Sequence, residues 1–257
     1  MESLATNAFE ESFCGSRCSL HDHRFRNTLL AALSAETISR LRLNPIRLGL
    51  RHEIEFPGNS IDHLFFIEEG MASMTTTFKD GSQVEVGTFG YESVIGISAL
   101  MGAKLCLNRI YMQIAGHGYT CGIKNANDVF HSCSDFQTLA LRSVQSQLIQ
   151  TEQTAGCNAK HQIEQRLARR LLICSDRANN RSYSISHGLL ADMLGSTRPT
   201  VSLAAGSLKQ QKLITYTRNT IHILDVAGLE AKACECYHLV KDYLDNKVEF
   251  ESGIPPE

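Results

Sequence analysis

The sequence predicts an α+β chain in three parts: a small β-barrel or sandwich, a long helix, and a C-terminal winged helix-turn-helix. Three observations carry this reading. Short β-prone runs follow one another from Arg47 to about Asn125, separated by turn signals. Apolar residues then recur at helical spacing over residues 128–156. Finally, "HGLLADMLGSTRPTVSLAAGSLKQQKLI" (187–214) reads as helix, glycine turn and helix, and an alternating apolar stretch follows it.

Taken in order, residues 1–24 read as a loosely ordered arm. In "NTLLAALSAETISRLRL" (27–43), Leu29, Leu30, Leu33, Ile38 and Leu41 keep helical spacing until Pro45 ends it. The runs "LGLRHEIEF", "HLFFIEEG", "MASMTTTF", "SQVEVGTF" and "RIYMQIAG" read as strands. Pro57-Gly58-Asn59, Glu69-Gly70, Lys79-Asp80-Gly81 and Phe89-Gly90 separate them as turns. One long helix is expected over 128–156. Its Leu141, Val144, Leu148, Thr151 and Ala155 form a coiled-coil seam for a homodimer, or else pack on the barrel; Gly156 interrupts it. "AKHQIEQRLARRLLIC" (159–174) is a further amphipathic helix, with Ile163, Leu167, Leu171 and Leu172 apolar and the arginines elsewhere.

The opening of the last helix pair is the most informative stretch. Leu189, Leu190, Met193 and Leu194 give residues 187–194 one buried face, and Gly195 ends that helix through a positive φ. Ser196 and Thr197 are good N-caps, and Pro199 is tolerated only in a first turn, so the second helix starts near Thr197 or Arg198. Val201, Ala204, Ala205 and Leu208 form its buried stripe. The alternation of Leu213, Tyr216, Ile221 and Ile223 makes a hairpin that turns at Arg218-Asn219. Helix, turn, helix and hairpin make a winged helix, whose second helix opens with polar and cationic side chains toward a DNA major groove.

Charge agrees. Residues 158–224 hold ten Lys or Arg against three acids, a net +7, and the rest of the chain holds 15 basic and 24 acidic residues. A basic segment on a near-neutral chain is the footprint of a nucleic-acid-binding module. The 257 residues suffice for two modest domains, and 43% apolar with 20% charged residues is ordinary for a soluble protein. No apolar run spans a bilayer and the N-terminus has no signal-peptide core. Nine scattered cysteines suggest no disulfide framework, so a reducing cytoplasm is expected.

The order of these parts resembles the Crp/Fnr superfamily of bacterial transcription regulators. "QIEQRLARRLLI" resembles the first helix of that family's DNA-binding domain, and "ISHGLLADMLGSTRPTVSLAAGSLKQQKLI" resembles its helix-turn-helix without a gap. "TIHILDVAGLEAKACECY" resembles its wing with a following C-terminal helix, and "HLFFIEEGMASM" with "KDGSQVEVG" resembles its sensor. The resemblance implies a cyclic-nucleotide-binding-like β-roll over 25–127, a dimerisation helix over 128–157, a winged-helix domain over 158–226, and a C-terminal helix and tail over 227–257. The implied partners are double-stranded DNA, a second copy of the chain, and RNA polymerase as a further candidate, with no membrane and no cofactor. The effector stays unidentified.

Residue by residue, Arg198, Thr200 and Val201 match the start of the recognition helix in cyclic-AMP-type members, whereas Pro199 replaces a Glu and Leu203 a second Arg. Arg198 is expected to hold a guanine edge. Ser196, Thr197, Thr200, Ser202 and Lys209 are expected as further DNA contacts, and Arg218 as a phosphate contact at the wing tip. The nucleotide cassette is not recognisable in "GYESVIGISALMG" and "NRIYMQIAG": Ile97 stands where a ribose-binding Glu belongs, and Ile110-Tyr111 replace the small pair after Arg109. Arg109 is then a surface strand arginine, and cyclic AMP is not the expected effector.

Other chemistry is poorly supported. Cys14, Cys18, His21 and His23 lie too close together for a comfortable tetrahedron and do not match the cysteine spacing of iron–sulfur members. Cys234 and Cys236 are expected in one helix, where positions i and i+2 point apart. No metal is therefore expected. P-loop, zinc-protease and nucleophile-elbow motifs are absent, so no enzyme is expected. The competing reading is a signalling or scaffold module whose winged helix binds protein.

Overall fold

Two short helices stand first among the described residues, where one was expected: α1 (Thr28–Ala32) and α2 (Ala35–Leu41). The computed structural model describes residues 25–79, 81, 83–217 and 220–245; the N-terminal arm with Cys14, Cys18, His21 and His23 lies outside the described residues, as do Arg218 and Asn219. Each helix has its own cap. Asn27 Oδ1 accepts from Leu30 N at 3.1 Å, and Ser34 Oγ accepts from Thr37 N at 3.2 Å. The cap at Ser34 restarts the helix, and Leu29, Leu30, Ile38 and Leu41 still share one buried face.

The roll contains β1 (Asn44–Leu48), β2 (Glu53–Glu55), β3 (His63–Thr77), β4 (Gln83–Phe89), β5 (Val94–Ile95) and β6 (Arg109–Gly122). Its pairing is antiparallel in the order β1-β6-β3-β4, with β2 on β6 and β5 on β3. Two expected strands prove to be one, because Glu69-Gly70 lies inside β3 and makes no turn. The register against β6 shifts there, and Gly70 has φ +96° with the Ile114 carbonyl 2.7 Å from where a Cβ would stand. A glycine bulge inside a strand gives the same local signal as a turn. Leu48, Ile67, Ala72, Phe89, Ile95, Ile110 and Met112 fill the roll.

The long helix also differs from its expected bounds. Residues 123–160 form α3 (Ile123–Ser132) and α4 (Ser134–Lys160), with extended backbone at Cys133 between them. Gly156 does not interrupt α4, since one interior glycine costs only about 1 kcal/mol against alanine. Phe136, Ala140, Ser143, Gln150 and Cys157 are the buried face of α4. The expected seam sits one position away, with Leu141 and Leu148 50% and 56% exposed.

The C-terminal part comprises α5 (Ile163–Ala178), β7 (Ser182–Ser184), α6 (His187–Met193), α7 (Arg198–Gln210), β8 (Ile214–Thr217), β9 (Thr220–Ile223), α8 (Val226–Lys232) and α9 (Cys236–Leu244). The expected hairpin is β8–β9, paired as far as Thr217 and Thr220, and β7 adds a third strand in the order β7-β9-β8. Leu167, Leu171, Leu190, Val201, Ala205, Leu208, Ile214 and Leu229 form the core of this part, and Met71 of β3 packs into the same cluster. No described helix is long and apolar enough to cross a membrane.

The arginines of α5 lie off its apolar stripe, as expected, but not all of them are exposed. Arg170 and Arg177 are buried where the roll covers α5, and Arg169 is buried with its guanidinium on Thr154 of α4. Arg170 pairs with Glu85 and Arg177 with Glu92, both acids of the roll. Glu85 also accepts from Ser73 Oγ at 2.5 Å.

Candidate nucleic-acid interface

Ser186 Oγ caps α6 by accepting from Leu189 N at 3.2 Å. The helix ends at Met193, and Gly195 at φ +53° turns the chain so that Ser196 N donates to Ala191 O at 2.9 Å. Thr197 is the N-cap of α7: its Oγ1 accepts from Thr200 N at 3.4 Å and lies 2.8 Å from Thr200 Oγ1. Arg198 and Pro199 occupy the first turn, where the missing proline N–H costs nothing. Val201, Ala204, Ala205 and Leu208 bury the inner face of α7, as their spacing predicts.

The outer face gathers most of the expected residues. Thr197 and Arg198 are exposed, and Ser196, Thr200 and Ser202 are half-buried. Ser202 Oγ lies 3.0 Å from His187 Nδ1, and the His187 ring meets Tyr216 of β8 edge-on at 4.9 Å. Burial lowers the His187 pKa, and the nearby Arg198 charge lowers it further. Lys209 is not beside Arg198. It stands at the far end of α7, about 16 Å along the helix at 1.5 Å per residue, with its Nζ 4.7 Å over the Tyr216 ring. Arg218 lies outside the described residues. Leu203, 78% exposed on the same helix, was noted in the sequence only as a replacement. Its signal is a leucine out of phase with the apolar stripe.

The charge count overstates what this face offers an anion. Arg170 and Arg177 are neutralised by Glu85 and Glu92 of the roll. Arg166 donates to the Leu194 carbonyl, and Arg169 to Thr154 Oγ1 at 3.3 Å. The cations free to meet a phosphate are fewer than the +7 of the segment suggests.

In the roll, Ile97 opens a short 3-10 helix (Ile97–Met101) and borders a cavity of about 390 Å³ between the sheet and α4, along with Met74, Phe89, Leu105, Val144 and Leu148. Arg109 Nε meets Glu53 Oε1 at 2.5 Å, and its guanidinium lies 5.0 Å over the Tyr111 ring, so its charge is taken on the strand surface.

The cysteine pair near the C-terminus also departs from expectation. Cys234 and Cys236 do not share a helix: α8 ends at Lys232, Ala233 is extended, and α9 begins at Cys236. The corner turns both thiols toward Cys157 and His161 at the end of α4. The spacings Cys-x3-His and Cys-x-Cys were both legible, but nothing local joined one to the other.

The sequence profile of the Crp-like helix-turn-helix domain matches residues 165–232. The global nitrogen regulator of Nostoc sp. is 25% identical over 181 residues, covering 66% of this chain and 80% of that protein. The global nitrogen regulator of Synechococcus elongatus is 24% identical over 213 residues, covering 79% and 96%. Among solved structures, a CRP-family transcriptional regulator from Thermus thermophilus superposes with a TM-score of 0.62 at 20% identity, covering 73% of this chain and 96% of that one. FixK2 from Bradyrhizobium japonicum gives 0.65 at 16% identity, covering 76% and 98%.

Proposed function

We propose that the chain is a DNA-binding transcription regulator of the Crp/Fnr superfamily that reads a pseudo-palindromic site as a homodimer, with Arg198 of each copy on a guanine. The observation that carries this reading is the placement of Arg198: exposed in the first turn of α7, on a helix whose other face is locked into the domain core. A guanidinium there holds guanine O6 and N7 in a bidentate pair. The free N–H groups at the start of α7, with Ser196 and Thr197, suit a backbone phosphate. Thr200 and Ser202 are secondary polar contacts, and Leu203 offers an apolar surface to a thymine methyl. Lys209, over the Tyr216 ring of β8, is a phosphate contact on the wing side, and Arg218 is kept from the sequence as a further phosphate contact. In the dimer the two α7 helices enter successive major grooves about 34 Å apart.

With this role we also propose a cytoplasmic location and RNA polymerase as a further candidate partner, the effector staying unidentified. Selection from a random DNA pool tests the reading. Arg198→Ala should lose a guanine preference at one symmetric position and cost about 1–3 kcal/mol per half-site. If affinity falls while the selected consensus stays the same, Arg198 is a phosphate contact and the assignment fails.

A further inference from the structure

The end of α4 and the α8–α9 corner bring four metal-ligating side chains to one point. The ligand atoms of Cys157, His161, Cys234 and Cys236 all lie within 4.8 Å of one another. Cys157 Sγ is 3.5 Å from Cys234 Sγ, although the residues are 77 positions apart, and Cys236 Sγ is 3.5 Å from His161 Nδ1. Around a tetrahedral zinc, with bonds of about 2.3 Å to sulfur and about 2.0 Å to nitrogen, ligand atoms stand about 3.5–3.8 Å apart. We propose that Cys157, His161, Cys234 and Cys236 form a tetrahedral zinc site that fastens the C-terminal helices to the end of α4.

The surroundings have the features of a metal site. The three cysteines form a buried cluster of their own, apart from the aliphatic cores. A small hydrophobe would instead pack among aliphatic side chains. His161 Nε2 lies 3.2 Å from Glu235 Oε1, which fixes the ring and leaves Nδ1 for the sulfurs. A carboxylate behind a ligating histidine is a recurrent outer-shell partner of zinc. Gln153 Nε2 donates to Cys236 Sγ at 3.0 Å, a bond that a thiolate accepts well.

Charge also balances. Three thiolates and a neutral imidazole around a divalent ion leave one negative charge. The Arg169 charge acts on Cys157, and Arg166 interacts with Cys157 and Cys234. Both arginines also keep a buried Nε without a hydrogen-bond partner. Thiolate ligands exclude magnesium and calcium, and the narrow spread of the donors accommodates one ion rather than an iron–sulfur cluster. Each coordinating thiol releases its proton to solvent on binding.

The location gives the site its consequence. His161 is the C-cap of α4 and α5 begins at Ile163, so the ion sits where the winged helix leaves the long helix. Two ligands precede the winged helix in sequence and two follow it. One ion therefore closes that whole domain into a loop anchored on α4.

Metal analysis of the full chain, purified anaerobically from zinc-replete cells, tests the proposal. About one zinc per chain is expected, retained in Cys14→Ser/Cys18→Ser and lost in Cys157→Ser/Cys234→Ser. Cobalt(II) added to metal-stripped wild-type protein should give a thiolate-to-metal charge-transfer band with tetrahedral visible bands, and zinc should abolish both. That readout needs no variant to fold. Three results overturn the proposal: absence of both the zinc and the cobalt band, zinc lost only when Cys14 and Cys18 are replaced, or Cys157 joined to Cys234 as a disulfide in the freshly isolated protein.

Discussion

Arg177 of α5 reaches into the β-roll and meets Glu92 at 2.5 Å, with the two side chains only 5% and 6% exposed. The same guanidinium donates to Thr88 Oγ1 of β4, and Thr88 Oγ1 donates to Gln150 Oε1 of α4 at 2.6 Å. One buried cation thus contacts the roll and, through one hydroxyl, the long helix. A change in how the roll packs on α4 has a direct route to the first helix of the winged domain.

This buried pair makes a stability prediction. Removing one partner leaves the other charge buried and alone, at a cost of about 3–5 kcal/mol, whereas removing both in favour of apolar groups costs far less. Urea unfolding of Glu92→Met, Arg177→Met and the double variant Glu92→Met/Arg177→Met checks it. Each single variant should be markedly destabilised and the double variant less so than either. Equal additive losses in the double variant would show that the pair carries no coupling.

The dimer prediction rests on the expected seam of α4. Leu141 and Leu148 are exposed leucines and Val144 stands half-buried between them, Val144 and Leu148 at the rim of the roll cavity. An arginine at Val144 or Leu148 would bury an unpaired charge in the seam and weaken the dimer by about 3 kcal/mol or more, roughly a hundredfold. Sedimentation of Val144→Arg and Leu148→Arg reads this directly. Two natively folded variants that remain dimers would place the interface elsewhere.

Cyclic nucleotides should not bind the roll. Ile97 supplies no carboxylate for a ribose hydroxyl, and Arg109 is held by Glu53 and Tyr111 on the strand surface. Calorimetric titration with cyclic AMP and cyclic GMP is expected to give no saturable heat. A micromolar dissociation constant for either would contradict the reading.

The helix-turn-helix was legible because its signals are local: Gly195, the cap at Thr197, and the stripe from Val201 to Leu208 lie within one short stretch. The strands were legible in kind but not in number, since Glu69-Gly70 carries a turn's chemistry in a bulge that only pairing with β6 reveals. The break at Cys133 was hidden because α3 and α4 both keep helical spacing on either side of it. What sequence could not show was contact between distant segments. The burial of Arg170 and Arg177 depends on Glu85 and Glu92, and the convergence of Cys157 with Cys234 depends on how α9 folds back onto α4.

The last prediction concerns His187 and pH. Its ring lies against Tyr216, its Nδ1 is 3.0 Å from Ser202 Oγ on α7, and the Arg198 charge is close by. Burial, then that charge, lowers its pKa in the folded state from an unfolded value near 6.5. Folding therefore favours the neutral ring. The resulting stability is complete above pH 6.5 and is lost as pH falls below that value toward and through the folded pKa. Thermal unfolding from pH about 5 to about 7.5 should show wild type losing stability on acidification more steeply than His187→Gln, which carries no titrating group there. Arg198→Ala should fall between the two, because it removes only the second cause of the shift. Parallel curves for wild type and His187→Gln would mean that His187 titrates in the folded protein as it does in the unfolded chain. The link from α6 through Ser202 to the Arg198 face would then carry no proton dependence.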